Sequence, residues 1–169
     1  MILSKAVVTD IEPIFHMIAS YAKDGILLPR TKLSLYENMQ CMTVAKEDGE
    51  VVGCGSLHVL GHDLAEVRSL VVAQNQKGKG TGRAIVEQLM EEATSLGVEH
   101  VFSMTYEVLF FEKCGFEPVD KESMPEKIWK DCLSCPKLRN CDENAMIRRT
   151  NAYIEQSSKR FVSSYSYRS

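Results

Sequence analysis

Three glycines alternate with a lysine and a threonine in Gly78-Lys79-Gly80-Thr81-Gly82, between a stretch of strand character and a regular helical pattern. Glycine lets a backbone approach a ligand closely, and the N–H groups at a helix N-terminus converge on negative charge. With Lys77, Lys79 and Arg83 beside them, these residues are suited to cradle a pyrophosphate. The spacing excludes two common phosphate loops. A nucleoside triphosphate loop places Lys directly after its last Gly and then Ser or Thr, whereas Gly82 is followed by Arg83 and Ala84. A dinucleotide loop separates its second and third glycines by a pair of residues, and here only Thr81 intervenes. The second chemical pattern is Cys132-x2-Cys135-x5-Cys141, three thiols in one loop, one short of a tetrahedral zinc site. No His follows residue 100, so a metal there would need Cys114, Asp142 or water as its fourth ligand; the alternative is a reduced, redox-sensitive loop. His16, His58, His62 and His100 show no ligand spacing.

The elements that must position these residues follow from apolar periodicity. Ile11, Ile14, Phe15, Ile18 and Tyr21 recur at helical spacing behind Thr9 and Glu12, which predicts a capped helix from about Asp10 to Lys23, stopping at Gly25. Leu33, Tyr36 and Met39 predict a short second helix with those residues on its apolar face. The period then changes: Met42 to Ala45 and Val51 to Leu60 flank Asp48-Gly49, a hairpin signal, and Ala65 to Val72 forms a third strand. After the glycine loop, Ile85, Val86, Leu89, Ala93 and Leu96 mark a long helix that Gly97 ends. Val101 to Met104, Phe116 to Val119 and Ala145 to Arg148 read as strands, and Val108 to Lys113 and Pro125 to Asp131 as short helices. Thr150 to Ser169, rich in Ser and Tyr, is expected to be a flexible tail. This order predicts an α/β or α+β fold, a mixed sheet flanked by helices, in a single domain over residues 1–149 followed by a tail over 150–169.

The glycine loop resembles the acyl-coenzyme A loop of the GNAT N-acetyltransferases, Arg/Gln-x-x-Gly-x-Gly/Ala, with Lys77, Gly80 and Gly82 at its key positions. Ala65-Glu66-Val67-Arg68-Ser69-Leu70-Val71-Val72 resembles that family's central strand, and Phe110-Phe111-Glu112-Lys113-Cys114-Gly115-Phe116 its late Phe-Tyr-Glu-Lys-x-Gly-Phe signature. The resemblance implies a mostly antiparallel GNAT-like sheet and acetyl-CoA as co-substrate. Its pyrophosphate would lie on Lys77, Gly78, Lys79, Gly80, Thr81, Gly82 and Arg83, and its pantetheine arm on the backbone of Leu70, Val71 and Val72. Glu66 falls where GNAT enzymes with a strand carboxylate keep their general base. The family's general acid is the signature Tyr, and here Phe111 stands in its place. Ser103, Thr105 and Tyr106 end the adjoining strand and are the candidate substitutes, with Tyr106 and Thr105 foremost.

Leu27-Leu28-Pro29-Arg30-Thr31, the Glu66 strand and the segment from Cys132 to Met146 are similar to the short, single-domain N-acetylglutamate synthases. That similarity implies transfer of acetyl to the α-amino group of glutamate or a similar amino acid, at the start of arginine biosynthesis. Longer synthases carry a kinase-like domain ahead of the transferase, so arginine feedback by that route is expected to be absent. Arginine suits bidentate carboxylate recognition, and Arg30 and Arg68 are the candidate substrate ligands. Glu66 and Arg68 share one strand face, because side chains alternate with period two. Another amine as acceptor (a polyamine, an antibiotic or a protein N-terminus) and a non-catalytic acyl-CoA-binding regulator remain the alternatives.

Composition bounds the partners. Lys and Arg total 20 against 23 Asp and Glu, a formal charge of -3, so no global positive field attracts nucleic acid. No apolar run approaches the roughly 20 residues that cross a bilayer, and Met1 to Asp10 lacks the character of a signal peptide. A cytoplasmic protein acting on a small-molecule amine is expected, with a homodimer left open. Six cysteines in such a setting read as free thiols or metal ligands.

Overall fold

The computed structural model describes residues 1–123 and 142–157. Its strands are β1 (Ile2–Lys5), β2 (Met42–Glu47), β3 (Glu50–Val59), β4 (Leu64–Val72), β5 (His100–Thr105), β6 (Glu117–Val119) and β7 (Asn144–Arg149). The helices are α1 (Ile11–Lys23), α2 (Lys32–Glu37), α3 (Thr81–Ser95), α4 (Val108–Lys113) and a last one, α5, over residues 151–157. The strands join in one sheet in the order β1-β2-β3-β4-β5-β7-β6. Only β4 and β5 run parallel; every other neighbouring pair is antiparallel. The mixed, mostly antiparallel fold expected from the sequence is the one observed.

Helices cover both faces of this sheet. Ile85, Val86, Leu89 and Ala93 of α3 are fully buried against Ala65 and Val67 of β4 and Val101 of β5, whereas Leu96, counted in the same stripe, is exposed at the helix end. On the opposite face Ile11, Ile14 and Ile18 of α1 pack on Met42, Val44, Cys54 and Val71. The β2–β3 hairpin turns at Asp48 and Gly49, with φ of 51° and 84°, the paired positive values a two-residue turn requires.

Several expectations change. Strand β1 was not anticipated, because an exposed edge of four residues gives too little alternation to detect. Helix α2 exists, but Leu33 and Tyr36 are exposed and Leu35 is its buried residue, so the helix turns a different face inward. Thr31 caps it, accepting from Ser34 N at 3.0 Å. The expected Thr9 cap is not formed: no side chain caps α1, and Asp10 accepts from Val7 N at 2.9 Å within the 3-10 turn that precedes it. Glu12 instead reaches Lys32 at 2.9 Å and ties α1 to α2.

The expected tail begins as α5. Ala152 is buried, Tyr153 stacks edge-on against His100 with ring centroids 5.3 Å apart, and the Arg149 guanidinium lies 4.5 Å from the Tyr153 ring centre. A sparse apolar pattern concealed these aromatic and cationic anchors. The helix expected over Pro125 to Asp131 lies outside the described residues, as do Cys132, Cys135 and Cys141.

Candidate active site

The site is built on a fork in the sheet. Strands β4 and β5 pair only from Leu64 to Glu66 against His100 to Phe102. Where they part, Ser103 Oγ donates to the Val67 carbonyl at 3.2 Å. Beyond the fork β4 bulges: Cys54 pairs with Val71 and Ser56 with Arg68, so Gly55 alone faces Ser69 and Leu70. Ser69 takes φ of 52°, in the left-handed region. The extra residue bends β4 away from β5. Gly55 makes room for this bend, since a Cβ there would meet Ile85 at 3.0 Å and Leu70 at 3.2 Å.

Two contacts fix the far end of the bend. From α1, Tyr21 Oη donates to the Val72 carbonyl at 2.6 Å. Behind the bulge the Cys54 thiol donates to the Ser69 carbonyl at 3.7 Å, and burial pushes its pKa up to about 12. A neutral thiol is therefore part of the support for the bulge.

The glycine loop follows at once. Gly80 is the N-cap of α3 with φ of 86°, and Gly78 has φ of 77°. Space is open where their side chains would be, so nothing of the protein crowds that face of the loop. A Cβ on Gly82 would meet the Phe110 ring at 3.2 Å, so this glycine lets α4 close on α3. Lys77 Nζ sits 5.2 Å from the centre of the Tyr21 ring. Gln76 is buried and donates to Glu47 at 2.5 Å, anchoring the loop to β2.

Fork and loop open into one cavity of about 610 Å³. Arg30, Glu66, Arg68, Leu70, Val71, Val72, Lys77, Gly78, Gly80, Thr81, Gly82, Arg83, Thr105 and Tyr106 all line it. Among the described candidates for acetyl-CoA, acceptor and proton transfer, Lys79 is the one not on its wall, and it is exposed. At the acceptor end Arg68 Nε pairs with Glu66 Oε2 at 2.6 Å, and both side chains are almost fully buried. The expected neighbours on one strand face are thus directly bonded.

The candidate acids differ in their surroundings. Tyr106 Oη donates to Asp142 Oδ1 at 2.6 Å, while Thr105 Oγ1 accepts from Glu107 N at 2.8 Å and caps the turn into α4. Ser103 is committed to the fork. Phe111 is buried, its ring edge-on to Phe116 with centroids 5.1 Å apart. Cys114 is buried beside it; desolvation first, and the charge of Glu87 second, raise its pKa. Among the described residues no group of three His, Cys, Asp or Glu side chains could hold a metal ion.

Sequence reasoning missed Tyr21 and Gln76. Tyr21 was read as part of the apolar stripe of α1, and its hydroxyl gave no separate signal. A Gln in a polar loop carries no sign of burial. Leu27 and Leu28, which also line the cavity, entered only through resemblance.

A forked mixed sheet with a glycine loop and helix N-terminus at the mouth of the fork defines the class. The chain belongs to the GNAT family of acetyltransferases, whose pattern its sequence matches over residues 11–116. An uncharacterised N-acetyltransferase of Chlorobaculum tepidum is 37% identical to it over 139 residues, which are 82% of this chain and 90% of that one. The amino-acid acetyltransferase of Mycobacterium tuberculosis is 35% identical over 133 residues, 77% of this chain and 76% of the relative. Among solved structures, a Mycobacterium tuberculosis protein in complex with CoA superposes with a TM-score of 0.77 at 30% identity, over 88% of this chain and 99% of that one. N-acetylglutamate synthase of Neisseria gonorrhoeae, complexed with CoA and N-acetyl-glutamate, superposes with a TM-score of 0.80 at 23% identity. That likeness is one of fold, and it spans 88% of this chain but 34% of the synthase. Among the described residues no helix is long and apolar enough to cross a membrane.

Proposed function

We propose that the chain transfers the acetyl group of acetyl-CoA to the α-amino group of glutamate or a similar amino acid, a reaction that serves arginine biosynthesis. One observation carries the acceptor assignment: a carboxylate and a guanidinium, Glu66 and Arg68, lie together in the wall of the same cavity that ends at the glycine loop. The name of the Mycobacterium tuberculosis relative, amino-acid acetyltransferase, supports the same reading.

The residues present fit the co-substrate. Open space at Gly78 and Gly80, amides at the start of α3, and the cavity-lining cations of Lys77 and Arg83 match a doubly charged pyrophosphate, with Lys79 exposed beside the loop. The bent backbone from Leu70 to Val72 offers polar groups to an extended pantetheine arm and a donor to the thioester oxygen. Glu66 acts as general base and takes a proton from the substrate ammonium, leaving the nitrogen lone pair to form the new N–C bond as the C–S bond breaks. Tyr106 returns a proton to the departing sulfur; its phenol is the more acidic of the two hydroxyl candidates, and its hydrogen bond to Asp142 orients it. Arg30 and Arg68 bind the acceptor's carboxylates.

A CoA-release assay across free amino acids tests this reading, run on the wild type and on Glu66→Gln. Turnover with glutamate or glutamine that falls at least about 100-fold in the variant, with binding of acetyl-CoA retained, is expected. Equal rates in the two proteins would remove Glu66 from the mechanism.

A further inference from the structure

The side chains proposed as base and carboxylate clamp are bonded to each other. Arg68 Nε donates to Glu66 Oε2 at 2.6 Å, with the two side chains 14% and 11% exposed. The pair is held in place from β3: Ser56 Oγ donates to the Arg68 carbonyl at 3.0 Å, and His58, opposite Glu66 in register, contacts Ser56 Oγ at 3.0 Å. A carboxylate engaged by a guanidinium accepts a proton less readily than a released one. A guanidinium, in turn, carries five N–H donors in a fork that matches a carboxylate, so the carboxylate of a substrate can compete for it. Arg30 lines the same cavity and adds a second cation for a second carboxylate.

We infer that the Glu66–Arg68 pair is a substrate-operated switch, in which the α-carboxylate of the acceptor draws Arg68 away and so releases Glu66 to deprotonate the adjacent ammonium. This inference rests on the amino-acid reading above. The step balances: an N–H bond of the ammonium breaks, its electron pair stays on nitrogen, and the proton bonds to Glu66 Oε2. Arg68 stays protonated throughout and changes only its partner. Arg68 is then a positioning residue for the base as well as a ligand of the substrate, and it selects amines that carry a carboxylate beside the amino group. The selection acts on kcat, because an amine without that carboxylate can bind while Glu66 remains held.

The test compares glutamate with isoglutamine, in which a carboxamide replaces the α-carboxylate alone. For the wild type, kcat with isoglutamine should be at least tenfold below that with glutamate when both are saturating. In Arg68→Gln the two kcat values should approach within about twofold of each other, the glutamate value falling and the isoglutamine value rising. Arg68→Lys, which keeps the charge if Arg68→Gln folds poorly, should retain part of the discrimination. A wild type that separates the two substrates only in KM, or an Arg68→Gln that loses the same factor with both, overturns the switch while leaving the amino-acid reading intact. Absence of turnover with every free amino acid overturns that reading and the switch with it.

Discussion

Tyr21→Phe removes one atom from the structure and should report on how the fork is held. The hydroxyl donates to the Val72 carbonyl at 2.6 Å, at the end of β4 and one turn ahead of the glycine loop. The ring is kept, so the Lys77 ammonium still lies over it. A half-buried carbonyl that loses its donor costs about 1 kcal/mol. In a domain of this size the melting temperature should fall by about 2–4 °C. If the bond also holds β4 in the shape that receives pantetheine, binding must restore that shape, and about 1 kcal/mol becomes a roughly fivefold rise in KM for acetyl-CoA. kcat and the KM for the amine should change little. Tyr21→Leu removes the ring as well and should cost about 0.5–1 kcal/mol more through the lost cation–π contact. The assays are steady-state kinetics with each substrate varied in turn, beside thermal unfolding followed by circular dichroism. A melting temperature that falls while the KM for acetyl-CoA stays at the wild-type value would refute the reasoning, leaving Tyr21 a structural tether only.

Four further predictions concern the support of the fork and the proton donor. Gly55→Ala puts a methyl within 3.0–3.2 Å of Ile85, Leu70 and Leu89, so it should destabilise the protein by about 1–3 kcal/mol and lower turnover by displacing the bulge; thermal unfolding and CoA release check both. The Cys54 thiol, with its pKa pushed up to about 12, should react with iodoacetamide at pH 8 on the order of a thousandfold more slowly than an ordinary exposed thiol, as peptide mass spectrometry can measure. Because the folded state holds that proton where the unfolded chain loses it, Cys54 favours folding below about pH 9 and loses that contribution as pH rises toward 12, so alkaline denaturation should begin later in Cys54→Ser. Tyr106→Phe should lower kcat at least about tenfold with little change in KM, and Thr105→Val should leave kcat near the wild-type value; the opposite order would assign the proton to Thr105.

The residues that hold anions were legible because their chemistry demands unusual sequence. Alternating glycines before a regular helix have few other uses, and Gly78 and Gly80 do take positive φ values while Gly82 sits under Phe110. The long helix and hairpin were legible for a related reason, since Ile85, Leu89 and Ala93 or Asp48-Gly49 each carry a local signal strong enough to survive without context. The bulge at Ser69 was not legible. It arises from a mismatch in register between β3 and β4, which no single strand records. Nor was the direct bond between Glu66 and Arg68, because period-two spacing places two side chains on a face without saying whether they meet. Helix α2 shows the limit of periodicity in six residues: Leu33 and Tyr36 were as plausible an inward face as Leu35, and packing against α1 decided. In the same way the burial of Gln76 depends on Glu47, which is distant in sequence.

The most direct test of the central claim is identification of the product formed from acetyl-CoA and glutamate. NMR and mass spectrometry of the reaction mixture should show one acetyl group on the α-nitrogen, formed in step with free CoA and in greatly reduced amount with Glu66→Gln. No N-acetyl product from glutamate or glutamine, while a different amine is acetylated under the same conditions, would contradict the assignment of an amino-acid acceptor to the Glu66 and Arg68 site.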